Sequence, residues 1–215
     1  MNGAPPFARR RVLTLVGMSA VASACVSVPK VNPAALRAGA FVNDPAHTSL
    51  IFRVAHLNGL SRFTARFTEI AASLDFDPEA PERSFLDVRI AATSIDTGLK
   101  DFDRQLAEKA DVLNGGAFPE IGFQSTGART FSAREGVVDG LLTLRGQTRP
   151  VALEVAYNGA LRSPFSGEDL IGFTARTRFD RTDFGADAWS NFGVGRDIEV
   201  EIDIEFKRAS ASNEP

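Results

Sequence analysis

Residues 197–206 read Asp-Ile-Glu-Val-Glu-Ile-Asp-Ile-Glu-Phe. Ile198, Val200, Ile202, Ile204 and Phe206 take one side of the alternation, and Asp197, Glu199, Glu201, Asp203 and Glu205 take the other. A period of two is that of a β-strand with one dry face and one wet face. A strand this acidic on one side needs water there, and a strand this apolar on the other needs a core.

The same pattern recurs upstream. Leu50, Phe52, Val54 and His56 share a face, as do Phe63, Ala65 and Phe67, and Ile70, Ala72, Leu74 and Phe76 ahead of the Asp77-Pro78 turn signal. Leu86, Val88, Ile90 and Ala92 follow, then Ile121, Phe123 and Ser125. Val138, Gly140, Leu142 and Leu144 lead through Gly146-Gln147 into Val151, Leu153, Val155 and Tyr157, and Ile171 to Phe179 completes the series. A further strand is expected near Gly39–Asn43. Short connections rich in Gly, Pro and Asp describe an antiparallel meander. The expected fold is all-β, an up-and-down antiparallel barrel of about eight strands closed around an apolar interior. Two segments leave the pattern. Leu99 to Leu113 spaces Leu99, Phe102, Leu106 and Ala110 as one short amphipathic helix. Phe184 to Phe192 is a loop carrying Phe184, Trp189 and Phe192, aromatics that either cover a ligand or plug one end of the barrel.

Phenylalanine is prominent among the apolar residues, with 17 Phe in the whole chain against one Tyr and one Trp. Phe offers a large apolar surface with no polar atom to satisfy, which suits both an ordinary core and a greasy cavity. Alternation places Phe52, Val54, Phe63, Phe67, Phe76, Ile90, Phe123, Leu142, Leu144, Phe173 and Phe179 on the cavity wall. Phe102 and Leu106 are expected to close one end, with Phe184 and Trp189 nearby. A register error of one residue would invert any of these strands.

The N-terminus is read as an export leader over residues 1–24. Arg9, Arg10 and Arg11 form its positive region, and Val12 to Val21 is apolar but too short to span a bilayer. Ala22-Ser23-Ala24 then precedes Cys25, the only cysteine. Small residues ending in Cys look like a bacterial lipobox, although Ala22 stands where Leu is usual. Cys25 is therefore the expected lipidation site, and ordinary cleavage at the same bond is the alternative. The arginine run also resembles a twin-arginine signal, and the residues leave that route and the general one open. Residues 25–38 read as lipidated Cys and tether, 39–208 as the barrel domain and 209–215 as a flexible tail. The expected location is the bacterial cell envelope, on the periplasmic side, anchored to a membrane through Cys25.

Beyond the leader the chain has 21 basic and 27 acidic residues, a formal charge of −6. That balance argues against nucleic acid and against electrostatic docking on anionic lipid. Catalytic signals are sparse. His47 and His56 are the only histidines, and no Gly-x-Ser-x-Gly elbow or metal-ligand spacing is present. His56 lies on an inward face, within imaginable reach of Asp103 or Asp183, as general-base work would require. A buried structural histidine is the competing reading. Asp75-Phe76-Asp77 and Asp101-Phe102-Asp103 pair carboxylates at turns, where solvated caps are usual. The reading is a container with no enzyme activity, no cofactor and no metal.

Several stretches together resemble the YceI-like family, the polyisoprenoid-binding, lipocalin-like proteins of the bacterial envelope. His47-Thr48-Ser49-Leu50 and Phe52-Arg53-Val54-Ala55-His56 look like its opening strand. Thr93 to Gly98 (TSIDTG), with Asp103, Leu106 and Asp111 following, is similar to its mid-chain motif. Phe118 to Ser125, Gly140 to Val151 and Asp180-Arg181-Thr182-Asp183-Phe184-Gly185 resemble its later strands and its Asn-Arg-Ser-Asp-Phe-Gly signature. The resemblance covers about residues 40–207. It implies a barrel with an elongated cavity that binds a long-chain amphiphile, such as a polyisoprenoid, isoprenoid quinone or fatty-acyl derivative, without catalysis. The family often has Arg before the acid at 103 and His two residues after it. Phe102 and Gln105 stand there in this chain, so a less polar head group is expected. The alternative is an envelope lipoprotein whose barrel is plugged by side chains and which serves partner interaction or stress response. Whether the barrel acts alone or as a homodimer is not decided by the residues.

Overall fold

The computed structural model describes residues 36–209. The expected leader, the Cys25 lipidation site, most of the tether and the tail from 210 lie outside the described residues. Ten strands form one antiparallel sheet: β1 (Gly39–His56), β2 (Ser61–Phe67), β3 (Ile70–Phe76), β4 (Phe85–Ala91), β5 (Ile95–Asp96), β6 (Glu120–Thr130), β7 (Glu135–Leu144), β8 (Gln147–Arg162), β9 (Asp169–Asp180) and β10 (Asp197–Arg208). Their order is β10-β9-β8-β7-β6-β4-β3-β1-β2-β5, and β1 also pairs with β10. That last pairing closes the sheet into an eight-stranded barrel with no free edge to manage.

The count falls from ten to eight because two staves are interrupted. β1 pairs with β3 through Gly39–Val42 and with β2 through Leu50–His56, so β2 and β3 together make one stave broken at Thr68–Glu69. β4 and β5 make the next, broken by a single helical turn at Ala92–Ser94. Ser94 bridges both breaks. Its carbonyl accepts from Thr68 N at 3.0 Å, and its hydroxyl accepts from Glu69 N at 3.1 Å and donates to Ala91 O at 2.8 Å.

The two strands expected at Gly39–Asn43 and Thr48–His56 are halves of β1, joined through a bulge. Between the pairs Asn43–Phe206 and Thr48–Ile204, residues 44–47 face Glu205 alone. The three-residue excess is odd, so the inward face changes from Phe41 and Asn43 to Leu50, Phe52 and Val54. Pro45 sits in the bulge, where its missing N–H interrupts no ladder. Asn43 is buried beneath it. Its amide donates to Thr48 Oγ1 and Ile70 O and accepts from Ala72 N at 2.8 Å, standing in for backbone partners lost at the break.

Outside, three of the five acids of β10 pair with arginines of nearby strands. Glu201 takes Arg176 at 2.9 Å and Arg53 at 3.2 Å, Glu199 takes Arg62 at 2.6 Å, and Asp197 takes Arg178 at 2.6 Å. Arg176 and Arg53 together hold the Glu201 carboxyl below the usual range. Each exposed pair is worth little, but together they offset the repulsion around three of the five acids on that face. No helix among the described residues is long and apolar enough to cross a membrane.

Helix α1 spans Lys100–Glu108, shorter than the expected Leu99–Leu113. Lys109 turns extended, and Asn114, with φ of 52°, and two glycines carry the chain on through turns. Leu99 is 66% exposed and is not on the helix's packed face, which carries Asp103, Leu106 and Ala107. At the chain's start, Leu36 is already buried in the core, although the sequence assigns it to the tether.

Candidate functional site

Side-chain size divides the barrel into two halves. Toward the β1 N-terminus, Phe41, Leu74, Ile171 and Phe206 are buried with Phe76, Tyr157 and Phe173 against them. Phe173 meets Phe76, Tyr157 and Phe206 with ring centroids 5.9, 5.6 and 6.2 Å apart, so rings from across the barrel touch and fill it. Toward the other end, β9 and β10 present Thr177, Ile198 and Val200. These are too small to meet the rings opposite, and a cavity of about 570 Å³ remains.

Its walls carry the inward residues of nearly every stave. Phe67, Phe52, Phe63 and Phe102 form an aromatic run up one side, with successive centroids 5.6, 6.2 and 5.7 Å apart. The last of these contacts joins β2 to α1. Opposite lie Phe123, Leu142, Leu144, Leu153, Phe179 and Ile202, while α1 and the turn after it add Leu106, Val112 and Leu113. The Phe123 ring lies against Gly140, where a Cβ would stand 2.2 Å from its Cζ. The polar lining residues are His56, Ser61, Thr177 and Arg181.

The cavity opens where β1 turns into β2. Its rim is Leu57 from that turn and Trp189, Phe192 and Val194 from the loop between β9 and β10. The Asp180–Gly185 stretch builds that loop. Asp180 Oδ1 accepts from Thr182 N at 2.8 Å and Thr182 Oγ1 at 2.7 Å, capping the turn Arg181–Phe184. Burial raises the Asp180 carboxyl, but Thr182 and Arg196 together outweigh it and hold it below the usual range. Phe184 is buried behind Phe179 at 5.4 Å, and Gly185 takes a left-handed φ of 70° where a Cβ would meet Arg145 Nη1 at 2.8 Å.

Arg181 is 7% exposed, and no carboxylate lies within 4.0 Å of it among the described residues. Its Nε donates to Gly195 O at 2.7 Å, and its terminal nitrogens donate to Ala186 O, Ser190 Oγ at 2.9 Å and Val194 O. Burial lowers its proton affinity, and Asp187, Asp180 and Asp111 oppose that from a distance. A buried cation answered by carbonyls rather than by an acid fixes the loop's shape. Arg145 ties the loop to the helix side by donating to Phe184 O at 3.1 Å and to Ala110 O. Ala188 N adds a bond to Asp111 O at 3.0 Å.

Phe52, Val54, Phe63, Phe67, Ile90, Phe102, Leu106, Phe123, Leu142, Leu144, Phe179 and Trp189 line this cavity. Three expected residues do not. Phe76 and Phe173 fill the far half, because alternation reports which face a residue takes but not how full the barrel is at that level. Phe184 lies one layer out, in contact with a lining ring. Lining residues absent from the expectation include Val200 and Ile202, on the very strand with the clearest alternation, and Arg181. The first two were signalled by periodicity and hidden by a preference for Phe. His56 is exposed on the rim, and Asp103 is buried elsewhere, accepting from Thr97 N at 2.7 Å and Thr97 Oγ1 at 2.6 Å. No hydrogen bond joins His56 to Asp103 or Asp183 among the described residues. Nor do those residues hold a cluster of three or more His, Cys, Asp or Glu fit for a metal.

Comparison with known proteins places the barrel in company. Residues 41–206 match the YceI-like domain. A UPF0312 protein of Shewanella oneidensis is 32% identical over 165 residues, covering 76% of this chain and 85% of the relative. A UPF0312 protein of Vibrio cholerae is 29% identical over 198 residues, covering 91% and 97%. Among solved structures, Burkholderia cenocepacia BcnA superposes with a TM-score of 0.68 at 19% identity, covering 76% of this chain and 98% of its own. A polyisoprenoid binding domain from Saccharophagus degradans, implicated in plant cell wall breakdown, superposes at 0.59 and 12% identity, covering 80% and 100%.

Proposed function

Because the chain belongs to the YceI-like family, we propose that it is a binding protein or carrier that holds one long-chain amphiphilic lipid in the barrel cavity. The observation that carries this reading is the apolar, one-ended space of about 570 Å³. Water is a poor tenant of a greasy wall, so the space suits a greasy guest. Burying some twenty carbons releases on the order of 16 kcal/mol gross, at about 0.8 per CH₂. Ordering the chain and losing its freedom take back much of it. The ligand class is a polyisoprenoid, an isoprenoid quinone or a fatty-acyl derivative, its tail in the depth and its head at the rim by His56 and Ser61. A neighbour described as a polyisoprenoid binding domain supports that class. We further propose export to the envelope and anchoring through an acylated Cys25.

The test is native mass spectrometry with solvent extraction on protein produced with its export signal. A bound species of defined mass that leaves into organic solvent is the expected result. A homogeneous ligand-free mass, with no uptake of prenyl or acyl probes, would move the reading to a partner-interaction lipoprotein.

A further inference from the structure

The rim of the cavity is apolar and exposed at once. Leu57 is 48% exposed and Phe192 73% exposed, yet both line the cavity. Leu60, in the same turn as Leu57, is 81% exposed. Greasy surface therefore runs without a break from the depth of the barrel to the outside. The rim is also held firmly. Asn58 N donates to Gly193 O at 2.8 Å, tying the β1–β2 turn to the Phe192 loop, and Gly195 N donates to Ala55 O at 2.8 Å. Leu57 and Asn58 hold left-handed φ values of 47° and 57°, a conformation a leucine seldom takes. Cations around the rim are already answered, Arg62 by Glu199, Arg196 by Asp180 and Lys109 by Asp111. Trp189 stands beside them with the Lys109 ammonium 5.4 Å from its ring centre, an arrangement suited to a membrane–water boundary. Leu36 and Ala209, the ends of the described chain, pack at the other end of the barrel, Ala209 N on Ala40 O.

We propose that this rim is a membrane-docking surface: Leu57, Leu60 and Phe192 enter the interface of a bilayer, and the lipid passes between bilayer and cavity without crossing water. The inference rests on the carrier reading for its cargo, but the docking step stands apart from it. The occupant is a neutral lipid surface, because the rim offers apolar area and no unanswered cluster of cations to favour anionic headgroups. The other exposed aromatics, Phe85, Phe131 and Phe165, sit on or beside turns at the far end, away from the cavity.

The experiment uses the full chain carrying Cys25→Ser, which removes the acyl anchor and every native thiol. Leu60→Cys or Phe165→Cys then receives a single environment-sensitive fluorophore, and phosphatidylcholine vesicles are added. The expected result is a blue shift at position 60, none at 165, and a change in binding of less than about twofold over a roughly tenfold range of salt. A shift at 165 instead, or at neither position, overturns the proposal. Leu60→Asp is expected to slow lipid transfer out of the vesicles roughly tenfold while leaving equilibrium occupancy unchanged. Equal transfer rates overturn docking, whereas absence of bound lipid in both proteins indicts the carrier reading.

Discussion

Gly140→Ala tests the cavity from below. A Cβ at this position would stand 2.2 and 2.6 Å from two ring atoms of Phe123 and 2.7 Å from the carbonyl oxygen of Gln124. Gln124 is fixed in β6 by its pairing with Leu141, so the carbonyl gives little. The ring has somewhere to go, because Phe123 lines the cavity. The expected outcome is that Phe123 swings into the open space, at an overpacking cost of about 1–3 kcal/mol. The displaced ring takes room from the guest, so lipid occupancy falls as well. Urea unfolding of delipidated protein, followed by the single tryptophan at the rim, measures the first effect, and native mass spectrometry measures the second. Delipidation matters because a bound guest would add its own stabilisation by mass action. Phe123→Ala alone should cost about 3 kcal/mol. In Phe123→Ala/Gly140→Ala the clash with the ring is gone, so the double variant should be at least about 1 kcal/mol more stable than the two single costs add up to. If Gly140→Ala shifts stability by less than about 0.5 kcal/mol and leaves occupancy intact, the Phe123 ring does not lie against Gly140.

Three further outcomes are expected. Phe173→Ala removes the ring at the centre of the far-end cluster and should cost about 3–5 kcal/mol in urea unfolding, while the folded fraction keeps its lipid; loss of lipid without loss of stability would return Phe173 to the cavity wall. Arg181→Met strands the carbonyls of Ala186 and Gly195 and should cost about 3 kcal/mol, with faster hydrogen exchange across residues 184–195 as its signature; unchanged exchange there would refute its role in shaping the rim. The Asp180 carboxyl, held below its ordinary value, contributes stability that is present above its unfolded pKa, near 3.8, and is lost as pH falls through the lower folded value. Acid titration of Trp189 emission should therefore report loosening of the rim loop only below that region, and a transition near neutrality would exclude Asp180 as its source.

The two termini of the barrel wall show how far alternation carries. In β10 every second residue from Ile198 to Phe206 faces inward, as its sequence demands, since any other facing would bury five acids. The motif from Asp180 to Gly185 was visible as a resemblance, and its physical meaning lies in contacts distant along the chain, with Arg145, Arg196 and Gly195. The fate of Phe76 and Phe173 was not legible from their own strands. Whether an inward ring lines a space or fills one depends on what stands across the barrel, and for Phe173 that is Phe76 on a distant strand.

Sequence alone determined that this chain makes an all-β meander with a greasy inside and a charged outside, because period-two patterning is local and a one-residue slip would be ruinous. Tertiary structure alone decided where the barrel is full and where it is hollow. It also decided that the odd excess at residues 44–47 would turn β1 over, that Arg181 would be buried to shape a loop, and that the greasy lining would continue onto an exposed rim. Each of these depends on side-chain volumes and hydrogen-bond partners brought together from separate strands, and closure of the ring by β1 and β10 is what brings them together.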